Sequence, residues 1–192
     1  MSLALAPVAH LVSALASANQ AVRDDAASEL HRRGAAQAEA AVSSWRQIPE
    51  LAALLSNHYT VGVAVSPEHF AKIRSALGNP RLAEVPPDQD AQEFEWDLDA
   101  GARLDILTTR DPAGNGAIAR FLAKFGEGIQ QVELLANDVD RVTEMLRSRL
   151  SSQPVYPQTR PGADGTLVNF FLVASPTGRK LLIELVENPK QS

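Results

Sequence analysis

The fold of this chain is decided by residues 126–138, which read Gly126-Glu127-Gly128-Ile129-Gln130-Gln131-Val132-Glu133-Leu134-Leu135-Ala136-Asn137-Asp138. The stretch begins with a glycine turn, continues as a strand-like run, and ends at Asn137, a residue type that caps helices. An earlier stretch, Thr60-Val61-Gly62-Val63-Ala64-Val65-Ser66-Pro67, has the same plan. Because the plan occurs twice, we interpret the chain as a duplicated module.

The two copies align over both of their ends. When Gln131 is aligned with Thr60, the predicted helix cap of the second copy, Asn137, aligns with that of the first copy, Ser66. The sequence Arg-Leu-Asp-Ile-Leu around Asp105 also matches the sequence Leu-Ile-Glu-Leu-Val around Glu184. A carboxylate therefore stands at the centre of the closing strand of each copy.

The order of strand and helix patterns predicts a βαβββ topology for each module, which we assign to residues 57–110 and 126–188. The first module is predicted to include a short strand at residues 81–85, and a turn at residues 175–178 is predicted to join the last two strands of the second. Two such modules predict an α+β fold with a curled mixed sheet, whose inward-facing side chains line a central cleft.

An alanine-rich region precedes the two modules and is predicted to be helical. Asn19 is expected to cap its second helix and Gly34 to end that helix. We divide the chain into an N-terminal helical region, residues 1–56, and a two-module domain, residues 57–192. The helices are expected to pack on this domain or on another subunit.

Composition and charge exclude several classes of function. The chain has 192 residues and a formal net charge of −5, which argues against nucleic acid as a partner. It contains no cysteine, so thiolate zinc sites and cysteine nucleophiles are excluded. We find no apolar run long enough to span a membrane and no secretory signal, so we expect a cytoplasmic protein.

The sequence resembles the vicinal oxygen chelate superfamily, which includes glyoxalases, extradiol dioxygenases and bleomycin resistance proteins. Within it, the sequence is most similar to the methylmalonyl-CoA epimerases. The resemblance covers residues 57–188. It is carried by Val61-Gly62-Val63-Ala64-Val65, by Ile118-Ala119-Arg120-Phe121-Leu122-Ala123-Lys124 leading into Gly126-Glu127-Gly128-Ile129, and by Leu182-Ile183-Glu184-Leu185-Val186-Glu187. It implies a glyoxalase-like domain, a small-molecule ligand and a homodimer.

The resemblance also implies a divalent-metal site at Thr60, Asp105, Gln131 and Glu184. The family usually has histidine where Thr60 and Gln131 stand, so both imidazoles are missing. His58 would reach the site only after a register slip of two residues, and the repeat favours Thr60. Two carboxylates and an amide oxygen suit Mg²⁺ or Mn²⁺ better than Zn²⁺. The alternative is that the metal is absent and these residues line a polar pocket.

Two further groups of acidic residues alternate along predicted strands. Glu133 follows Gln131 by two positions and is therefore expected to point to the same side of its strand. In the strand Glu93-Phe94-Glu95-Trp96-Asp97, the acidic side chains either point into the cleft or form a solvated outer face with the two aromatic side chains as core; we favour the second interpretation.

The residues and the resemblance together support two main functions. One is a divalent-metal-assisted isomerase, epimerase or lyase that acts on a small acid, a thioester or a keto substrate, with Glu184 as the catalytic residue. The other is a metal-free small-molecule-binding protein of the bleomycin-resistance type, which the missing histidines favour. A third is a scaffold whose N-terminal helices mediate assembly.

Overall fold

The computed structural model describes residues 6–174 and 180–189, so the turn predicted at residues 175–178 lies outside the described residues. The helices are α1 (Val8–Ala14), α2 (Gln20–Ala41), α3 (Ser43–Arg46), α4 (Pro49–Ala52), α5 (Pro67–Ala76), α6 (Ala117–Phe125) and α7 (Val139–Leu150). The strands are β1 (Leu55–Ala64), β2 (Gln92–Asp97), β3 (Arg103–Thr108), β4 (Gly128–Ala136), β5 (Arg160–Pro161), β6 (Leu167–Ala174) and β7 (Lys180–Glu187). Within these residues, none of the helices has the length and apolar character needed to cross a bilayer.

The seven strands form one continuous curled sheet in the order β2-β3-β1-β4-β7-β6-β5. Strands β1 and β4 pair antiparallel and join the two modules, while β1–β3 and β4–β7 are parallel pairs within the modules. The seven helices and the curled mixed sheet of seven strands among the described residues confirm the predicted α+β fold class.

The strand register confirms the duplication. In the first module Gly62 is paired with Asp105, and in the second Glu133 is paired with Glu184. Gly62 and Glu133 are equivalent positions when Thr60 is matched to Gln131. The opening and closing strands therefore meet in the same register in both modules.

The two faces of the sheet differ in polarity because side chains alternate along each strand. On the outer face, Val61, Val63, Val132 and Ile183 are fully buried. Helices α2, α5 and α7 contact the sheet strands, and the buried residues of helices and sheet form one hydrophobic cluster. The inner face carries the predicted site residues Thr60, Asp105, Gln131 and Glu184.

The N-terminal helices pack on this sheet, which is the first of the two predicted arrangements, packing on the domain or on another subunit. The ring of Trp45 meets the ring of Phe171 edge-on at 5.7 Å between centroids. The guanidinium of Arg46 donates to the carbonyl oxygens of Leu55 (3.3 Å) and Ser56 (2.5 Å) at the start of β1. The division of the chain at residue 56 stays a prediction.

Gly34 does not end the second helix, which corrects the sequence-based expectation. It lies inside α2, where a Cβ atom would stand only 2.5 Å from Cγ1 of Val61. The residue is therefore required for the close approach of α2 to β1 rather than for a turn. Asn19 caps α2 as predicted, because its side chain accepts from the backbone N–H of Ala21.

Two local predictions also differ from the structure. Residues 81–85 form no strand, although the N–H of Ala83 donates to the carbonyl of Glu93 beside β2. Asp138 rather than Asn137 caps α7, because its carboxylate accepts from the N–H of Arg141 at 2.8 Å. The second module contains the short strand β5 at the position where its βαβββ pattern predicts the second strand.

Replacing Gly34 with alanine tests the contact between α2 and β1. Alanine alone would favour a helix by about 1 kcal/mol, but the new methyl group overlaps a β-branched side chain on a buried strand. We expect the overlap to dominate and the free energy of unfolding to fall by about 1–3 kcal/mol in urea denaturation. The matched control, Gln37→Ala on the exposed side of α2, should change it by less than about 0.5 kcal/mol. Equal effects of the two substitutions would contradict this account.

Candidate functional site

The inner face of the sheet forms the floor of a cavity of about 1090 Å³. This volume is large enough for a small-molecule ligand. Polar side chains come mainly from β1 to β4 and β7, and apolar ones mainly from β6, β7 and the segment before β5. The principal lining residues are Thr60, Glu93, Glu95, Asp105, Gln131, Glu133, Glu184, Val155, Tyr156, Phe170, Leu172 and Leu182.

The structure brings three of the four predicted site residues together as buried polar groups. Asp105 is 5% exposed, and Gln131 and Glu184 are each 9% exposed. The side-chain amide of Gln131 donates to the carboxylate of Glu184 at 2.5 Å. Thr60 lines the same cavity and lies opposite Glu133 on the neighbouring strand. His58 is an exposed residue at the cavity wall.

The lack of a side chain at Gly62 leaves the space that the side chain of Gln131 occupies in the cluster. The two residues are paired across β1 and β4, and a Cβ atom on Gly62 would come within 2.6 Å of Cγ of Gln131. The first module therefore has no side chain where the second has Glu133. Of the two opening strands, β4 therefore contributes a carboxyl group to the cavity floor and β1 does not.

Two of the three acidic side chains of β2 line the cavity, which corrects the favoured interpretation for these two, whereas Asp97 is exposed as expected. Glu93 and Glu95 line the cavity, and Glu95 is paired with Asp105 on the adjacent strand β3. Phe94 is fully buried on the opposite face, as expected. The alternation of the strand predicted its two faces, but it does not show which of them faces a cavity and which faces bulk water.

Burial and mutual repulsion raise the pKa values of the carboxyl groups on the cavity floor. Burial is the larger cause at every position. The pKa of Glu133 rises from the usual 4.5 to about 8, through burial and the nearby carboxylates of Glu93 and Glu95. The pKa of Glu93 rises to about 7, and those of Asp105 and Glu184 are also raised well above their ordinary values.

One oxygen of this cluster has no partner among the described residues. Oδ1 of Asp105 is buried and accepts no hydrogen bond from residues 6–174 or 180–189. An unsatisfied buried polar atom destabilises the fold by about 1–3 kcal/mol. Such an atom in the floor of a cavity is the expected position for contact with a ligand.

A divalent metal is not matched by the side chains as they are arranged. The donors are oxygen atoms, which suit a hard cation. However, the amide of Gln131 is directed to Glu184, and in residues 6–174 and 180–189 no three histidine, aspartate or glutamate side chains are grouped so that they could hold an ion. The metal-binding role of Thr60, Asp105, Gln131 and Glu184 therefore stays a prediction.

Comparison with solved structures identifies similar proteins. The methylmalonyl-CoA epimerase from Mycobacterium tuberculosis is 32% identical, with a TM-score of 0.54 over 71% of this chain and 89% of that chain. A selenomethionine-labelled methylmalonyl-CoA epimerase is 25% identical, with a TM-score of 0.55 over 68% of this chain and 94% of the other. A methylmalonyl-CoA epimerase in complex with methylmalonyl-CoA and NH4+ is 22% identical, with a TM-score of 0.53 over 68% and 93%.

No family model and no curated protein sequence matches this chain. The structural and sequence similarity to the mycobacterial epimerase is nevertheless sufficient for an assignment at the level of the family. The chain belongs to the vicinal oxygen chelate superfamily, which contains these methylmalonyl-CoA epimerases. The curled sheet and the inward-facing residues of its opening and closing strands agree with that assignment.

The raised pKa values predict that stability decreases with pH. Below pH 4.5 a cavity carboxyl group is protonated in both the folded and the unfolded chain. As pH rises to about 8, the unfolded chain releases the proton while folded Glu133 retains it, so folding is progressively disfavoured. We expect this loss in urea denaturation series across that range. Glu133→Gln should reduce the slope, whereas the exposed control Glu144→Gln should retain it. An unchanged slope in Glu133→Gln would refute the assignment.

A metal titration tests the predicted ligand set. Because Gln131 is directed to Glu184, we expect MnCl₂ and MgCl₂ to shift the melting temperatures of the wild type and of Asp105→Asn equally. A selectively bound ion would instead raise the melting temperature of the wild type alone, since a ligand of the native state stabilises it. That result would establish the metal role of this site.

Proposed function

We propose that the cavity is the site of an isomerase, epimerase or lyase that moves a proton at a carbon atom next to a carbonyl group. The substrate is a small acid, a thioester or a keto compound. The proposal is supported by one observation above all: several carboxyl groups with raised pKa values lie together in a cavity of ligand size. The pKa values of Glu93 and Glu133, raised to about 7 and about 8, suit groups that both accept and donate protons near neutral pH.

In this mechanism Glu184 is the base. Its carboxylate accepts the proton from the carbon next to the carbonyl, and the bonding electrons pass into an enolate. The amide of Gln131 donates to Glu184 and orients it toward the cavity. Burial raises the pKa of Glu184 above its ordinary value, which makes its carboxylate a stronger base than an exposed glutamate.

A second carboxyl group returns the proton. Closely spaced buried carboxyl groups do not all ionise, because each carboxylate raises the pKa of its neighbours. Glu133 or Asp105 in its protonated form can therefore donate to the enolate while Glu184 retains the proton it removed. Return on the opposite face inverts the carbon centre, and return to a different atom yields an isomer.

The alternative function is metal-free binding of a small molecule without chemistry. It is favoured by threonine and glutamine at the two positions where the family usually has histidine. This function requires the cavity but no proton transfer. In both functions Thr60, Asp105, Gln131 and Glu184 are the residues that contact the ligand. The predicted homodimer and the cytoplasmic location remain separate predictions, and light scattering of the purified chain checks the former.

Deuterium exchange distinguishes proton transfer from binding alone. The probes are methylmalonyl-CoA, with which a related epimerase forms a complex, and pyruvate. We expect the protein to catalyse deuterium incorporation from D₂O into at least one of them, as measured by NMR. Glu184→Gln should reduce the rate about 10²–10⁴-fold, because it removes a general base.

Glu144→Gln, on the exposed side of α7, is the control and should exchange at the wild-type rate. Exchange that persists in Glu184→Gln would show that this residue is not the base. If neither probe exchanges with the wild-type protein, while one of them still raises its melting temperature, the binding function is correct instead.

A further inference from the structure

We propose that the ligand of this cavity carries a positively charged nitrogen on an apolar body. The inference rests on the proposed role of the cavity as a ligand site, but it does not require proton transfer. It narrows the substrate class from carbonyl compounds in general to those that bear an ammonium group. The inference follows from the charge balance, the unpartnered oxygen and the shape of the cavity.

The carboxyl groups on the cavity floor have no cationic partner. In the part of the chain that the structure describes, none of Glu93, Asp105, Glu133 and Glu184 forms an ion pair with a lysine, arginine or histidine. Buried acidic residues are usually paired with a positive charge, because unpaired burial of a charge is costly. The missing positive charge is therefore the property that a ligand can supply, and a bound cation would stabilise the ionised form of carboxyl groups that burial otherwise favours in the protonated form.

The arginines at the cavity wall are already engaged elsewhere. They contact other residues as follows: Arg103 binds Glu95 (2.9 Å) and Asp97 (2.8 Å), Arg160 binds Asp88 (2.6 Å), and Arg120 donates to the carbonyl of Asn115 (2.7 Å). Arg160 also lies over the ring of Tyr156 at 4.5 Å. Each of these arginines at the wall has a partner of its own. Among the described residues, none of them forms an ion pair with the carboxyl cluster on the cavity floor.

Asp105 provides the acceptor atom that a donor group of the ligand can contact. Its side chain lines the cavity although it is only 5% exposed, and its Oδ1 atom has no hydrogen-bond partner. An ammonium group has three donors and no acceptor, so it can satisfy this oxygen and an oxygen of Glu133 at the same time. A carboxylate or phosphate has only acceptors, so such a group on the same ligand is expected to lie away from the cluster.

The opposite wall of the cavity provides the surface for an apolar body. Phe170 is paired with Glu184 across β6 and β7, and its ring meets that of Tyr156 edge-on at 5.9 Å between centroids. Leu172 lies beside Leu182, lines the cavity and is 54% exposed. The ligand therefore has a cationic end at β3 and β4 and an apolar end at β6.

A matched series of probes tests this charge preference. The probes are hexylamine hydrochloride, hexanol and sodium hexanoate, measured at equal concentrations by calorimetry and thermal shift with the full chain. We expect hexylamine to bind about tenfold more tightly than hexanol, and hexanoate to bind more weakly than either. Hexanol or hexanoate binding as tightly as hexylamine would overturn the proposal.

Variants locate the binding to the cluster. Asp105→Asn and Glu133→Gln keep the side-chain shape and should each weaken hexylamine binding about tenfold without affecting hexanol. Both should remain folded, because each removes a carboxyl group whose burial disfavours the folded state; Glu93→Gln is a further variant of the same kind. Glu144→Gln on α7 should bind hexylamine as the wild type does. Unchanged binding in both cluster variants would contradict the proposed contact.

A last measurement compares the binding of an organic cation with that of an inorganic cation. MnCl₂ that binds at the cluster while hexylamine does not would overturn the proposal in favour of a metal site. Weak binding of hexylamine together with deuterium exchange in methylmalonyl-CoA would refute the ammonium ligand and leave the proposed proton transfer intact. Binding of hexylamine without any exchange would support the ligand class and refute the enzymatic function.

Discussion

The antiparallel pairing of β1 with β4 is the constraint on which the rest of the structure depends. It joins two copies of one module at the centre of the sheet and places Thr60 opposite Glu133 and Gly62 opposite Gln131. The closing strand of each module then runs parallel to its opening strand on the outer side. Because side chains alternate along strands, this arrangement turns every second residue of four strands toward one cavity. The outer face is buried against helices from both ends of the chain.

Burial of the carboxyl groups in the cavity lowers the stability of the folded state. Glu93, Asp105, Glu133 and Glu184 lie among protein atoms that solvate them poorly, and burial raises the pKa of each. A sequence optimised for stability alone would not retain such a cluster, since burial of like charges disfavours the folded state. The hydrophobic contacts of the outer face offset this cost. Perturbed carboxyl groups in a cavity are typical of a functional site, and the proton-transfer and ligand-charge proposals both start from them.

Several features of the fold were accessible from the sequence for a clear physical reason. The repeat around Thr60 and Gln131 was visible because equivalent strands need the same alternation and the same turn residues. It led to the correct α+β fold and to the correct side of the sheet for Asp105, Gln131 and Glu184. Local signals were less reliable. Gly34 suggested a helix end, yet it is required by a close approach to Val61 that lies 27 residues further along the chain. Such a contact leaves no trace in the local pattern.

The sequence by itself determined the duplicated plan and the polarity of each strand face. These are properties of residue type and spacing, which need no knowledge of neighbours. Only the tertiary structure decided that Glu93 and Glu95 face the cavity rather than bulk water, that Gln131 contacts Glu184, and that Oδ1 of Asp105 is left without a partner. Those facts depend on which strands become adjacent and how the sheet curls, because charge and burial at a site are set by residues distant in the chain.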